Sequence, residues 1–369
     1  MTMPLLENGT FFFPGPTEVR AEVLQAMTQP MVAHRGAVFE DLFGRLQPAL
    51  QVIFGTSRPV YISSSSATGL MEAGVRCAPA GRILSIVNGA FSARFAAIVA
   101  ACARECDVME VPWGDTVNPG RLAEQLKSTQ YAAVTVVHSE TSTGALTDVR
   151  AVTRLAHEHG AVCLVDSVTG IGAAELWFDE WDLDYALTGS QKALALPPGL
   201  AFAAASSAFI TSAKQQAGRG LYFDLVEFDA YALKNQTPNT PAIPLFFAAD
   251  VQLPAIAAET MRVRWDRHAS MAARTYEWVD QLAARHGDAL RVLATAGHRS
   301  PSVTSIMLPA SITASVVLKA VSELGFTIGS GYGKNKETSV RIGHMGDHTL
   351  AGLERCLAAC DRAFDTIMR

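Results

Sequence analysis

Charge is scarce in this 369-residue chain: charged side chains make up 18% of it, and no stretch concentrates basic residues. Lys and Arg number 30 against 35 Asp and Glu, a net charge of −5. That balance gives no electrostatic reason to bind nucleic acid or an anionic membrane. Long apolar runs are missing too, and none approaches the ~18 residues that a membrane span requires. The first ten residues lack a basic start and a long apolar centre, so no secretory leader is expected. Ile367-Met368-Arg369 is not a peroxisomal address. The six cysteines (Cys77, Cys102, Cys106, Cys163, Cys356, Cys360) include no Cys-x-x-Cys, and no histidine stands at zinc-ligand spacing from them. No metal is expected, and a reducing, cytoplasmic compartment is.

What the chain does have is core-forming material. Hydrophobic residues reach 49%, punctuated by 28 Gly and 17 Pro, which excludes disorder and collagen-like repeats. The length fits about two domains. Phe39, Leu42, Phe43, Leu46, Leu50 and Ile53 recur at helical spacing and predict one buried helix face. Short apolar runs at 60–62, 83–87, 108–111, 132–137, 162–165, 185–188 and 200–204 predict strands, several of them apolar on both faces. Helical patterns at 91–104, 121–127 and 149–159 fill the gaps. Strand and helix in alternation predict an α/β fold with a mainly parallel sheet. After about Asp250 the pattern changes. One long helix over 256–284 is expected, then strands at 303–307 and 339–342 with helices at 315–324 and from about His348. This predicts an N-terminal segment and large domain over 1–256 and a smaller C-terminal α+β domain over 257–369, with a ligand cleft between them.

Three places could carry chemistry. Lys192, in Thr188-Gly189-Ser190-Gln191-Lys192-Ala193-Leu194, follows an apolar strand and precedes Pro197-Pro198-Gly199. A lysine there is costly to bury unless its pKa falls or it bonds covalently to a carbonyl; otherwise it is an ordinary loop lysine. Asp166 ends the run Val162-Cys163-Leu164-Val165-Asp166, where parallel sheets place their ligands. A carboxylate there can keep a pyridine nitrogen protonated, or merely cap a turn. Ser63-Ser64-Ser65-Ser66-Ala67-Thr68-Gly69 joins a strand to a helix, with neither a Walker pattern nor Gly-x-Gly-x-x-Gly. Small residues at a helix N-terminus suit a phosphate, or simple N-capping.

A phosphate cradle, a strand-end Asp and a strand-end Lys, in that order, point to pyridoxal phosphate. With Gly189-Ser190-Gln191-Lys192-Ala193-Leu194 and Glu140-Thr141-Ser142-Thr143-Gly144, the whole chain resembles the class V, fold-type I aminotransferases. The resemblance is closest to the alanine–glyoxylate and serine–glyoxylate (serine–pyruvate) enzymes, and it runs from Pro14-Gly15-Pro16 to beyond Arg341-Ile342-Gly343. It implies a large domain with a mainly parallel seven-stranded sheet. It also implies Lys192 as the covalent lysine and proton carrier, and Asp166 as the partner of the pyridinium nitrogen. Ser66, Ala67, Thr68 and Gln191 would hold the phosphate; mammalian alanine–glyoxylate enzymes have His where Thr68 stands. Phe91 would stack on the ring where many relatives have Trp, Val168 would pack beneath it, and Thr141 would lie near the phenolic oxygen.

The same resemblance implies a homodimer with shared sites. Thr237-Pro238-Asn239-Thr240-Pro241 matches a loop that reaches a neighbouring subunit's phosphate, with Thr240 its main contact and Thr237 in place of a tyrosine. Arg341, on an apolar strand, suits a carboxylate geometrically; the resemblance makes it the clamp on the substrate α-carboxylate. His34 and Arg35 match a pair that touches substrate in phosphoserine aminotransferases. The expected reaction is a ping-pong transamination from alanine or serine to glyoxylate or pyruvate. Phosphoserine, aspartate and 2-aminoethylphosphonate are the alternative donors. A cysteine desulfurase would need a nucleophilic cysteine on a mobile loop, whereas Cys356 and Cys360 fall in a helical pattern. A non-catalytic cofactor-binding module would not need Lys192, Asp166 and Arg341 together.

Overall fold

The computed structural model describes residues 4–287 and 289–368. Its larger sheet has seven strands in the spatial order Tyr61–Ser63, Ala201–Ala205, Tyr185–Gly189, Val162–Asp166, Ala133–Val137, Ile83–Val87 and Cys106–Glu110. Neighbours run parallel except at Ala201–Ala205, which is antiparallel to both of its neighbours. Ile83–Val87, Ala133–Val137 and Tyr185–Gly189 are buried at every residue. That is why their sequences are apolar without alternation: helices cover both faces. The helices Ala67–Cys77, Ala90–Ala101, Pro119–Ser128 and Val149–Glu158 make the crossovers. The parallel direction brings the loops after Val87, Val137, Asp166 and Gly189 to one edge of the sheet.

The second sheet has five strands, ordered Phe11–Phe12, Thr327–Ser330, Ser339–Gly343, Val303–Met307 and Arg291–Val292. Its own core gathers Ile306, Val340, Ile342, Leu353, Leu357 and Phe364. Phe11 and Phe12 run parallel to Thr327 and Ile328, so the N-terminal segment belongs to the sheet of the C-terminal third.

The long helix expected over 256–284 is instead two helices, Ile243–Glu259 and Met261–His286, divided at Thr260 with φ +66°. The break redirects the chain so that Arg264 reaches a buried ionic cluster. Asp347 is fully buried and pairs with Arg264 at 3.1 Å and Arg20 at 3.0 Å. The amide of Gln252 donates to Asp347 at 2.8 Å. The cluster thus ties the N-terminal segment, both long helices and the loop after Ser339–Gly343 together.

Candidate active site

At the C-terminal edge of the larger sheet lie two adjoining cavities of about 350 and 560 Å³, both lined by Gly15, Phe91, Lys192 and Tyr332. Lys192 sits on the turn after Tyr185–Gly189. That turn is pinned by Ser190, whose N–H donates to Leu200 O (2.9 Å) and whose hydroxyl donates to Pro197 O (2.7 Å). Lys192 is buried and makes no ion pair among the described residues; Nζ donates to Pro14 O at 2.6 Å. Burial, then the nearby Arg341 guanidinium, pull its pKa down to about 7, against the pull of Asp166. A Cβ at Gly15 would lie 2.2 Å from Nζ, and Gly15 has φ +109°, so only glycine fits above the amine.

Asp166 closes the strand Val162–Asp166 and is 2% exposed. One carboxylate oxygen accepts from Val168 N–H at 2.9 Å, and the other has no donor among the described residues. Burial raises its pKa to about 7 despite that hydrogen bond. A buried carboxylate without a cation is stable only if protonated or if a positive group joins it.

On the other side of the cavity the helix Ala67–Cys77 begins. Its N-cap Ser66 makes no side-chain hydrogen bond to the helix, so the first amides stay available to another acceptor. Ser66, Ala67, Thr68 and Gln191 all line the cavity beside the positive end of the helix dipole.

Phe91 stands at the start of Ala90–Ala101. That helix is capped from outside by Glu140, a fully buried carboxylate that accepts from Phe91 N–H (3.1 Å) and Ser92 N–H (2.9 Å). The next residue, Thr141, bonds through its hydroxyl to Thr169 at 3.1 Å, while its carbonyl accepts from Arg341 Nη1 at 3.1 Å. Arg341 Nε donates to Ser330 O at 2.8 Å. The guanidinium is 5% exposed and forms no salt bridge among the described residues, so an internal ion pair does not account for it. Burial lowers its pKa to about 10. Val168 lines the same cavity, between Asp166 and its backbone contact with Thr188.

Lys192, Asp166, Ser66, Ala67, Thr68, Phe91, Thr141, Val168, Gln191 and Arg341 therefore converge. Thr240, His34 and Arg35 do not reach this cavity within the one chain. Thr240 is exposed and borders a crevice with Ser63 and Ser64. Arg35 is exposed and holds the Thr240 loop, donating to Thr237 O (2.7 Å) and Pro238 O (3.0 Å); His34 beside it is half-buried. Arg94 went unread in the sequence, and Tyr332 was visible only within Gly329–Gly333, a stretch bordering the Arg341 strand, with no role attached. Arg94 lies one helical turn after Phe91, a spacing that puts both on one side of the helix. Tyr332 stands between Gly331 and Gly333 and stacks on Phe91, with ring centroids 5.1 Å apart. Glu140 was visible only as part of a motif, with no role attached.

The family model described as aminotransferase class-V matches residues 66–338. The serine–glyoxylate aminotransferase of Arabidopsis thaliana is 31% identical over 95% of this chain and 88% of its own length. The L-aspartate–glyoxylate aminotransferase of Paracoccus denitrificans is 30% identical over 94% of this chain and 88% of its own. The crystal structure of an alanine–glyoxylate aminotransferase from Nostoc sp. superposes with a TM-score of 0.89 at 26% identity, covering 98% of this chain and 96% of that one.

Proposed function

Because the chain belongs to the class V aminotransferase family, we propose that it moves an amino group from a small amino acid to a short 2-oxo acid, glyoxylate or pyruvate, with pyridoxal phosphate as cofactor. One observation carries the reading: a buried lysine and a buried carboxylate, neither in a salt bridge among the described residues, line one cavity beside a helix N-terminus without a side-chain cap. Each of the three lacks a partner that this cofactor has, namely an aldehyde, a pyridine nitrogen and a phosphate. The residues present fit the group.

Ser66, Ala67 and Thr68 would hold the phosphate through the helix amides, with the Gln191 side chain as a further donor. Asp166 would hold the proton of the ring nitrogen, the positive group that its buried carboxylate lacks. Phe91 would stack on one face and Val168 pack on the other, with Thr141 near the phenolic oxygen. When bound, pyridoxal phosphate supplies an electron sink for the pair left on the substrate Cα. Lys192 Nζ, uncharged above about pH 7, takes the proton from the donor's Cα, and a base poised near the working pH suits that task. Arg341 orients the donor by clamping its α-carboxylate. Alanine and serine meet that requirement, as do aspartate and phosphoserine; 2-aminoethylphosphonate has no α-carboxylate for Arg341. No cysteine lines either cavity, and Cys356 and Cys360 are buried in Leu350–Ile367, which speaks against a desulfurase.

Two copies would complete each site. Thr240 is exposed, and so are Met31, Val38, Leu221 and Leu233, large apolar side chains on segments near its loop. A two-fold dimer that covers them would bring Thr240 to the partner's phosphate; His34 and Arg35 would then lie near the same boundary. All six cysteines are free and no described helix is long and apolar enough to cross a membrane; cytoplasmic residence fits both.

The test is chemical. Purified protein supplied with cofactor should turn yellow, and borohydride should fix the cofactor on the peptide containing Lys192. Lys192→Ala should take up no covalent cofactor and transfer no amino group. A colourless wild type, or a fixed label on another lysine, would sink the reading.

A further inference from the structure

Arg94, Arg341 and Lys336 line the two cavities besides Lys192, whose amine is uncharged above about pH 7. Asp166 is the one acidic residue among the lining residues. A chain with net charge −5 thus gathers three further basic side chains at its site, while the cofactor phosphate is assigned to neutral donors, the helix amides and Gln191. Asp166, Lys192 and Arg341 have partners in the reading above. Arg94 does not.

The setting of Arg94 is specific. Its guanidinium lies 5.0 Å over the ring of Phe91, and Nη2 donates to the Tyr332 hydroxyl at 2.9 Å. Nε and Nη1 have no acceptor among the described residues, and Arg94 forms no salt bridge there. Stacking on an aromatic face holds the planar group flat, with its donor edge outward. The Tyr332 oxygen accepts from Arg94, so its own proton is free for another acceptor. The same tyrosine ring lies 5.6 Å from the Arg341 guanidinium. One side chain thus touches both arginines, Arg341 at its ring and Arg94 at its hydroxyl, and sets two anion seats about a tyrosine's length apart.

Resting on the transaminase reading, we propose that the preferred donor is a dicarboxylic amino acid of aspartate's length, with Arg341 on its α-carboxylate and Arg94 and Tyr332 on its side-chain carboxylate. With glyoxylate as acceptor, L-aspartate becomes oxaloacetate and glyoxylate becomes glycine. The amine passes from the donor's Cα to the acceptor's, and the acceptor's carbonyl oxygen is matched by one on the donor. The donor is oxidised by two electrons and the acceptor reduced by two.

The probe is succinate, which carries both carboxylates and no amine, with butyrate as the single-carboxylate control, titrated calorimetrically into the cofactor-loaded protein. Wild type should bind succinate about 30-fold more tightly than butyrate, the scale of one charge-assisted contact. Arg94→Gln should remove most of that preference, Arg94→Lys should keep part of it, and Tyr332→Phe should reduce it less. In half-reactions followed by loss of the yellow colour, the kcat/KM ratio of aspartate to alanine should exceed one and fall about 30-fold in Arg94→Gln. A wild type that favours alanine, serine or phosphoserine over aspartate overturns the proposal, as does a succinate preference unchanged by Arg94→Gln. A wild type that reacts with no amino acid overturns the transaminase reading instead, and the succinate titration still decides the role of Arg94.

Discussion

The amine of Lys192 donates to the carbonyl of Pro14 at 2.6 Å, across 178 residues of sequence. The contact depends on Gly15, whose missing side chain is what lets the N-terminal segment lie over the amine. Thr17 fastens the same segment, its hydroxyl donating to Lys192 O at 3.0 Å.

Gly15→Ala should therefore disable the site. The new methyl would clash with Nζ at 2.2 Å, and φ +109° is costly for any L side chain. The expected loss of stability is about 1–3 kcal/mol, with covalent cofactor uptake lost beyond what that accounts for. Denaturant unfolding and borohydride labelling would separate the two effects. A variant that labels as fully as wild type would show that the lysine has another route.

Asp166→Asn should have opposite effects on the empty and the loaded protein. Its folded pKa is raised from 3.8 to about 7. Near pH 4 the carboxyl is neutral in the fold and costs little. As pH rises towards 7 the unfolded chain releases the proton while the fold retains it, so wild-type stability falls across that window. In cofactor-free protein the variant should match wild type near pH 4 and exceed it above pH 7 by about 4 kcal/mol. Cofactor affinity should fall, because the positive ring nitrogen loses its anion. A pH-independent difference between the two unfolding curves would contradict this assignment.

Asp347→Asn should destabilise the chain by about 3–5 kcal/mol, since it removes the anion shared by two buried guanidiniums. Arg20 and Arg264 lie on it from different parts of the chain. Thermal unfolding should show both sheets losing structure at a lower temperature. A shift of less than about 1 kcal/mol would mean that the remaining partners of Arg264, Glu259 and the carbonyls of Gly172 and Ala193, carry the cluster.

Much of this architecture is legible in the residues because the larger sheet is built from local signals. Ile83–Val87 and Val303–Met307 appear in the sequence with the limits they have in the structure, since turn residues bound each of them, Gly81 and Asn88-Gly89 the first, Pro301 and Pro309 the second. Lys192 and Asp166 stand out because charge at the end of an apolar run is rare and expensive. What stayed hidden is non-local. Phe11–Phe12 and Arg291–Val292 are strands of two residues, too short for any period. The break at Thr260 carries no glycine or proline, while Pro254 lies inside the preceding helix. Arg94 and Tyr332 meet across 238 residues, and nothing near either of them announces the other.

The pairing of Phe11 with Thr327 sets a timetable for synthesis. The ribosome delivers the larger sheet long before it delivers the strand that anchors the segment over Lys192. Until about residue 330 has emerged, a nascent chain would hold its reactive amine beneath a cover fastened at Thr17 but not yet at Phe11 and Phe12. The last third of the message decides when the site shuts, however early its chemistry is encoded.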